Sequence, residues 1–169
     1  EFLTGKGMVH RDLAARNVLV CEGATVVKLC DFGLTRTGGE YHQLVGGRLP
    51  VKWMAPEAVR HQIFTQQSDV WSFGIVLWEI VTVGGTPYPG VSMTQLIDLL
   101  KSGYRNPQPP NCAVELYDLM LSCWSEQPGS RPSFSMLTRR LELLMESSAN
   151  YIGLDQLQSD APYYLTATA

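Results

Sequence analysis

The stretch His10-Arg11-Asp12-Leu13-Ala14-Ala15-Arg16-Asn17 places an acid, a cation and an amide within eight residues, beside small residues that leave room for a substrate. Asp31-Phe32-Gly33 follows fourteen residues after Asn17, and Ala55-Pro56-Glu57 comes later still. A lone aspartate in a loop reads most simply as a turn or cap residue. Here an acid, an amide and a second acid follow one another within twenty residues, at Asp12, Asn17 and Asp31. The short β-branched runs Val18-Leu19-Val20 and Val26-Val27-Lys28-Leu29, separated by Glu22-Gly23-Ala24, read as a small hairpin. That hairpin would hold the loop before it and Asp31 after it on one platform.

Those three motifs, in that order, resemble the signature set of protein kinases. The resemblance covers roughly residues 1 to 147, and it is closest to tyrosine kinases. In serine/threonine kinases a lysine usually lies two residues after the acid; here that position is Ala14, and the cation is Arg16. The Ala-Ala-Arg order resembles receptor-type tyrosine kinases, whereas the Src-like cytoplasmic group usually carries Arg-Ala-Ala. The resemblance implies a protein-kinase-like α+β fold, of which this chain would be the C-terminal lobe only. That lobe would be mainly α-helical, with its short β-hairpin near the His10–Asn17 loop.

Roles follow from the resemblance, residue by residue. Asp12 would be the catalytic base that orients the acceptor hydroxyl and takes its proton. Arg16 would neutralise phosphate charge and hydrogen-bond a phenolic substrate. Asn17 and Asp31 would bind the nucleotide's Mg²⁺ through oxygen, as a hard cation prefers. Pro50-Val51-Lys52-Trp53-Met54 would form a shelf for the substrate backbone and ring, with Pro50, Lys52 and Trp53 as its parts. Plain core filler is the competing reading of Trp53. Glu57 and Arg131 would form a buried ion pair, and Asp69 would accept backbone hydrogens from the loop. His10, Phe32 and Gly33 would be structural. A His beside an Asp also invites a hydrolase reading, but no Ser or Cys nucleophile motif accompanies them. A lipid or small-molecule kinase would lack the Ala55-Pro56-Glu57 segment and Trp53.

Thr35 to Lys52 has little periodicity and contains Gly38, Gly39, Gly46 and Gly47. A loop of that length is functional or disordered, and its flanks make it an expected activation segment. Tyr41 is the only tyrosine between Asp31 and Glu57. Phosphorylated, it would carry about −1.5 to −2 charges, with Arg11 as the pairing cation. From Ser147 the chain turns polar, and residues 148–169 read as a flexible tail. Tyr151-Ile-Gly-Leu, Tyr163 and Tyr164 there suit docking of phosphotyrosine-binding adaptor modules.

Composition bounds the alternatives. The chain of 169 residues is 45% hydrophobic, enough for one core. A net charge of −3 and pI near 5.6 argue against a nucleic-acid binder. Cys21, Cys30, Cys112 and Cys123 form no C-x-x-C pair, which suits free thiols in a reducing compartment. No signal peptide opens the chain. The apolar run Val70–Val83 is too short to span a bilayer and contains Glu79; it reads as a central buried helix. Ser92-x-x-Gln95 reads as a capping box, and Ser133 as the cap of a last helix with Phe134, Leu137, Leu141 and Leu144 on one stripe.

No G-x-G-x-x-G loop, no Val-Ala-Ile-Lys strand and no partner-helix glutamate occurs in the chain. Half the ATP site is therefore expected from residues outside it, and the chain alone is expected to be inactive. The abrupt start suggests a partial sequence. The expected parent is a receptor tyrosine kinase on the cytoplasmic side of the plasma membrane, able to dimerise, binding ATP and protein tyrosine substrates. The competing readings are a pseudokinase-like or truncated scaffold, and a cytoplasmic non-receptor tyrosine kinase.

Overall fold

A computed structural model describes residues 1–21, 23, 25–37, 41–42, 50–147 and 151–157, with backbone only at Tyr41, His42 and Gln156. The architecture is mainly helical. Among the described residues there are six α-helices, the first a single turn at Phe2–Gly5 (α1), and three two-stranded antiparallel sheets built from very short strands. At the centre lies α3, Gln66–Val81, in which twelve of the sixteen residues are buried. Its sequence is apolar on nearly every side, so it can only be stable when surrounded. The helix starts at Gln66, four residues before the apolar run. Thr65 is the N-cap, and Ser68 completes a capping box by returning a side-chain bond to the Thr65 backbone. It ends at Val81, where the Thr82 hydroxyl bonds the Trp78 carbonyl (2.8 Å) and Val83 turns left-handed (φ 53°).

Against α3 pack α5 (Val114–Cys123) and α6 (Phe134–Glu146), while α4 (Met93–Lys101) sits against the Val51–Trp53 turn. Gln95 and Ser92 cap α4 reciprocally, and Leu96 and Leu100 form its buried face. Leu137 is the fully buried member of the α6 stripe, while Phe134 meets Phe73 edge-on at 5.8 Å. The α3 backbone comes close to the end of α5 at Gly74. A Cβ there would stand 2.6 Å from Trp124 Nε1 and 2.8 Å from Cys123 Cβ.

The sheets carry the loops. Strands β1 (Met8–Val9) and β4 (Arg36–Thr37) pair as Met8↔Thr37 and Val9↔Arg36. The hairpin of β2 (Val18–Val20) and β3 (Val27–Leu29) runs in register Val18↔Leu29 to Val20↔Val27. Strand β5 (Tyr41–His42) pairs with β6 (Ile63–Phe64), Tyr41 opposite Phe64. The stretch from Thr35 to Lys52 is thus not featureless. It contributes β4 and β5, and a 3₁₀ turn, Val51–Trp53, begins at its end. Two-residue strands have no readable alternation, and tertiary pairing creates them.

The tail differs from its sequence reading. Residues 151–157 are built into the fold: the Ala113 N–H donates to the Tyr151 carbonyl (3.0 Å) and the Gly153 N–H to the Asn111 carbonyl (2.9 Å). Tyr151 and Ile152 then cover an apolar cavity of about 190 Å³ between α3, α5 and α6. Two apolar side chains in a polar stretch suffice to anchor it, yet give no helical or strand period. The Tyr151 hydroxyl also meets the Ser147 hydroxyl. Tyr163 and Tyr164 lie outside the described residues.

One ion pair ties α2 (Pro56–His61) to the helical core. Arg131 Nη1 and Nη2 grip Glu57 Oε1 and Oε2 at 2.6 and 2.9 Å. The guanidinium is wholly buried, lies 5.1 Å from the Trp71 ring centre, and also donates to the carbonyls of Ser125 and Gln67.

Gly74→Ala should gain about 1 kcal/mol in helix propensity and lose about 1–3 kcal/mol to overpacking. The expected net is a lower urea midpoint; a raised midpoint would show that α3 and α5 part freely. Arg131→Ala, which strands the Glu57 carboxylate, should cost about 3–5 kcal/mol of unfolding free energy, read as a large drop in melting temperature.

Candidate functional site

The His10–Asn17 loop is suspended from the start of α3. Asp69 is buried there, and its two carboxylate oxygens accept the backbone N–H groups of His10 (2.6 Å) and Arg11 (2.9 Å). Burial pushes the Asp69 carboxyl up to about 6, while those two bonds and the Arg11 charge pull it down. Arg11 has φ 72°, a left-handed backbone that is costly without glycine. Its guanidinium lies 4.5 Å from the Phe64 ring centre, and the side chain is buried. Because Phe64 faces Tyr41 in the β5–β6 ladder, the Tyr41 backbone comes to the same region. The Tyr41 side chain is outside the described residues.

His10 is buried and neutral by its bonding. The Asp12 N–H donates to His10 Nδ1 (3.3 Å), which must therefore be unprotonated, leaving Nε2 to carry the hydrogen toward the Cys30 carbonyl (3.2 Å). Burial lowers its pKa, against the bond to Cys30 and the charges of Asp12 and Asp31. The ring meets Phe32 edge-on at 5.2 Å, and Phe32 keeps 47% of its surface exposed. His10 thus links the loop to the Asp31-Phe32-Gly33 segment.

Asp12 is held on both oxygens. Arg16 pairs with Oδ1, and Asn17 Nδ2 reaches Oδ2 (3.0 Å) as well as the Asp12 carbonyl (2.8 Å). The 3₁₀ turn Ala15–Asn17 supplies this geometry, because it brings residues four and five positions on back over the acid. Asn17 leads directly into β2, and its carbonyl accepts the Cys30 N–H (2.9 Å) just beyond β3. The hairpin so delivers Asn17 and Asp31 to one end of the same ladder. Asp31 is exposed, with φ 59° and a weak bond from the Gly33 N–H (3.3 Å). A Cβ at position 33 would stand 3.2 Å from that carboxylate. Two oxygen-bearing side chains, one exposed and ionic and one amide, fit a hard divalent cation that keeps water and phosphate oxygens as further ligands. Among the described residues no group of three His, Cys, Asp or Glu side chains could hold a metal unaided.

Beside Asp12 opens a cleft of about 440 Å³. Asp12, Arg16, Pro50, Lys52 and Trp53 all line it, together with Val51, Leu34 and Met93. The Arg16 guanidinium lies over Trp53, 4.7 Å from the ring centre. Lys52 Nζ reaches back to the Tyr88 carbonyl (3.1 Å), and burial lowers its pKa. Trp53 is fixed at three points: the Ser72 hydroxyl donates to its carbonyl (2.7 Å), Arg16 covers its ring, and its indole N–H donates to Glu79 (2.9 Å).

Glu57 and Arg131 sit away from this cleft, in the ion pair described above. Glu79, Leu34 and Met93 were not singled out by their sequence. For Glu79 the signal existed, since a carboxylate within an apolar run must find partners when buried. Burial raises its pKa, opposed by bonds from Trp53 and the Ala15 N–H and by the Arg16 charge. Leu34 and Met93 carry no such mark, because each is an ordinary apolar residue until the fold places it.

A family described as protein tyrosine and serine/threonine kinase matches residues 1–141. The chain is 54% identical over 165 residues to a fibroblast growth factor receptor of Hydra vulgaris, covering 95% of this chain and 20% of the relative. It is 50% identical over 167 residues to the tyrosine-protein kinase receptor torso of Bombyx mori, covering 96% and 21%. Against fibroblast growth factor receptor 1 of Xenopus laevis it is 51% identical over 158 residues, covering 92% and 19%. The chain therefore spans about a fifth of the length of these curated relatives. A match over most of its residues, to proteins with which it shares half its positions, means that the chain has a protein-kinase-like fold and belongs to the protein tyrosine and serine/threonine kinase family.

Proposed function

We propose that this chain is the C-terminal lobe of a receptor-type protein-tyrosine kinase and carries the acceptor half of its phosphoryl-transfer site. Residues 1–147 would form the lobe and 148–169 a tail that follows it. One observation supports this most: the Asp12 carboxylate is held by Arg16 and Asn17 at the edge of a cleft whose other wall is the Pro50–Trp53 turn.

In this reading a substrate tyrosine lies in that cleft with its hydroxyl on Asp12. The phenolic oxygen forms a bond to the γ-phosphorus of ATP as the bond to the β,γ-bridging oxygen breaks, and ADP leaves. Asp12 receives the phenolic proton. Arg16, poised between Asp12 and Trp53, steadies the acid and offsets charge on the transferred group. Asn17 and Asp31 would hold Mg²⁺, which supplies charge neutralisation on the phosphates. The glycine-rich phosphate cover and the lysine strand would come from residues outside this chain. Arg11 is the proposed pairing cation for phosphorylated Tyr41, within reach of the β5–β6 ladder.

The named relatives are receptors, which supports a place on the cytoplasmic side of the plasma membrane and a dimeric assembly. No helix among the described residues is long and apolar enough to cross a membrane. Tyr151, Tyr163 and Tyr164 are the proposed docking tyrosines for phosphotyrosine-binding adaptors.

The test is transfer from labelled ATP with Mg²⁺ to a mixed Glu/Tyr polymer and to a Ser/Thr peptide, by a complete kinase containing this chain. Tyrosine labelling is expected, and it should fall about 10²–10⁴-fold in Asp12→Asn. The isolated 169-residue chain should show no turnover. Labelling of serine or threonine alone, or an Asp12→Asn protein of full activity, would contradict the reading; no labelling of either polymer would favour a scaffold.

A further inference from the structure

Glu79 is a buried carboxylate in the last turns of the central helix, beyond any motif of the site. A single oxygen, Oε2, accepts two bonds of 2.9 Å, one from the Ala15 backbone N–H and one from the Trp53 indole N–H. The first partner belongs to the His10–Asn17 loop, between Asp12 and Asn17. The second belongs to the wall of the cleft. The two segments are far apart in sequence, and no other side chain among the described residues donates to or accepts from both. Arg16 then bridges the same two segments from the solvent side, paired with Asp12 and stacked on Trp53.

We infer that Glu79 is a positioning residue for the peptide substrate: it fixes the Trp53 ring against the loop so that Arg16 and Asp12 face the acceptor tyrosine at a set distance from the wall. This rests on the tyrosine-kinase reading above. Its consequence is selective. Losing the tie should loosen the peptide site, which is built from both segments. The nucleotide side would be served by the Asn17 and Asp31 side chains, which flank the β2–β3 hairpin at its open end; among the described residues neither is hydrogen-bonded to Glu79.

Steady-state kinetics of the complete kinase would test this with a tyrosine peptide and ATP each varied. Glu79→Ala should raise the peptide KM by at least about tenfold, the scale of a single lost charge-assisted hydrogen bond, and leave the ATP KM unchanged. Glu79→Gln, whose carboxamide oxygen can take the same two bonds, should recover most of that loss. Trp53→Phe, which keeps a ring for Arg16 but deletes the indole N–H, should raise the peptide KM several-fold. Combined with Glu79→Ala it should add little. A merely structural role would lower the active fraction and leave both KM values in place, which would overturn the inference. Multiplicative effects of the two substitutions, or equal rises in both KM values, would also overturn it. Should Glu79→Ala fail to fold, Trp53→Phe decides alone: an unchanged peptide KM sinks the tie. If the unaltered kinase labels no tyrosine, the functional reading has failed instead.

Discussion

The site hangs on one carboxylate. Asp69 reaches out of the central helix and takes the N–H groups of two successive residues, His10 and Arg11, on its two oxygens. Neither donor could find a strand partner, because the chain turns sharply there and Arg11 adopts a left-handed backbone. Such strain costs about 1–3 kcal/mol and persists only where the surroundings over-determine it. Burying the carboxylate is also costly, and its raised pKa records that cost. The two short bonds, charge-assisted on one side, are what offset both. Once His10 and Arg11 are fixed, Asp12 is the next residue along, and its direction is settled.

Asp69, Ser72 and Glu79 occur at spacings of three and seven residues, which places them on one face of α3. Between them they hold two segments at several points: Asp69 the backbone at His10 and Arg11, Ser72 the carbonyl of Trp53, and Glu79 both Ala15 and the Trp53 indole. Beyond its polar first turn the rest of the helix is apolar, and it meets the end of α5 closely at Gly74. A buried polar stripe of this kind is favourable only when every member is bonded. Here it converts the rigidity of an apolar core into fixed positions for two loops that have no regular structure of their own. The Arg131–Glu57 pair does the same from outside the cleft, anchoring the helix that follows the Trp53 turn.

Much of this was legible in the sequence, for physical reasons that can be named. The central helix declared itself by being apolar on nearly every side, and α4 by its reciprocal Ser92–Gln95 cap. The β2–β3 hairpin showed in its β-branched runs. The cleft residues Asp12, Arg16, Pro50, Lys52 and Trp53 were chosen by family resemblance, and the fold brings them together. Three kinds of feature were not legible. Two-residue strands such as β4 and β5 exist only through their partners. Residues 151–157 looked like free tail, since a pair of apolar side chains and two backbone bonds leave no periodic trace. Glu79 was visible as an anomaly in an apolar run, but its partners lie 64 and 26 positions away.

The most direct test of the central claim is amide hydrogen exchange at His10 and Arg11 in the folded protein, compared with Asp69→Ala. If the carboxylate holds the loop, both amides are strongly protected in the unaltered protein and exchange orders of magnitude faster in the variant, while amides in the middle of α3, around Ile75 to Trp78, stay protected. Unchanged protection at His10 and Arg11 in Asp69→Ala would mean that something other than this carboxylate fixes the loop, and the account would be wrong at its root.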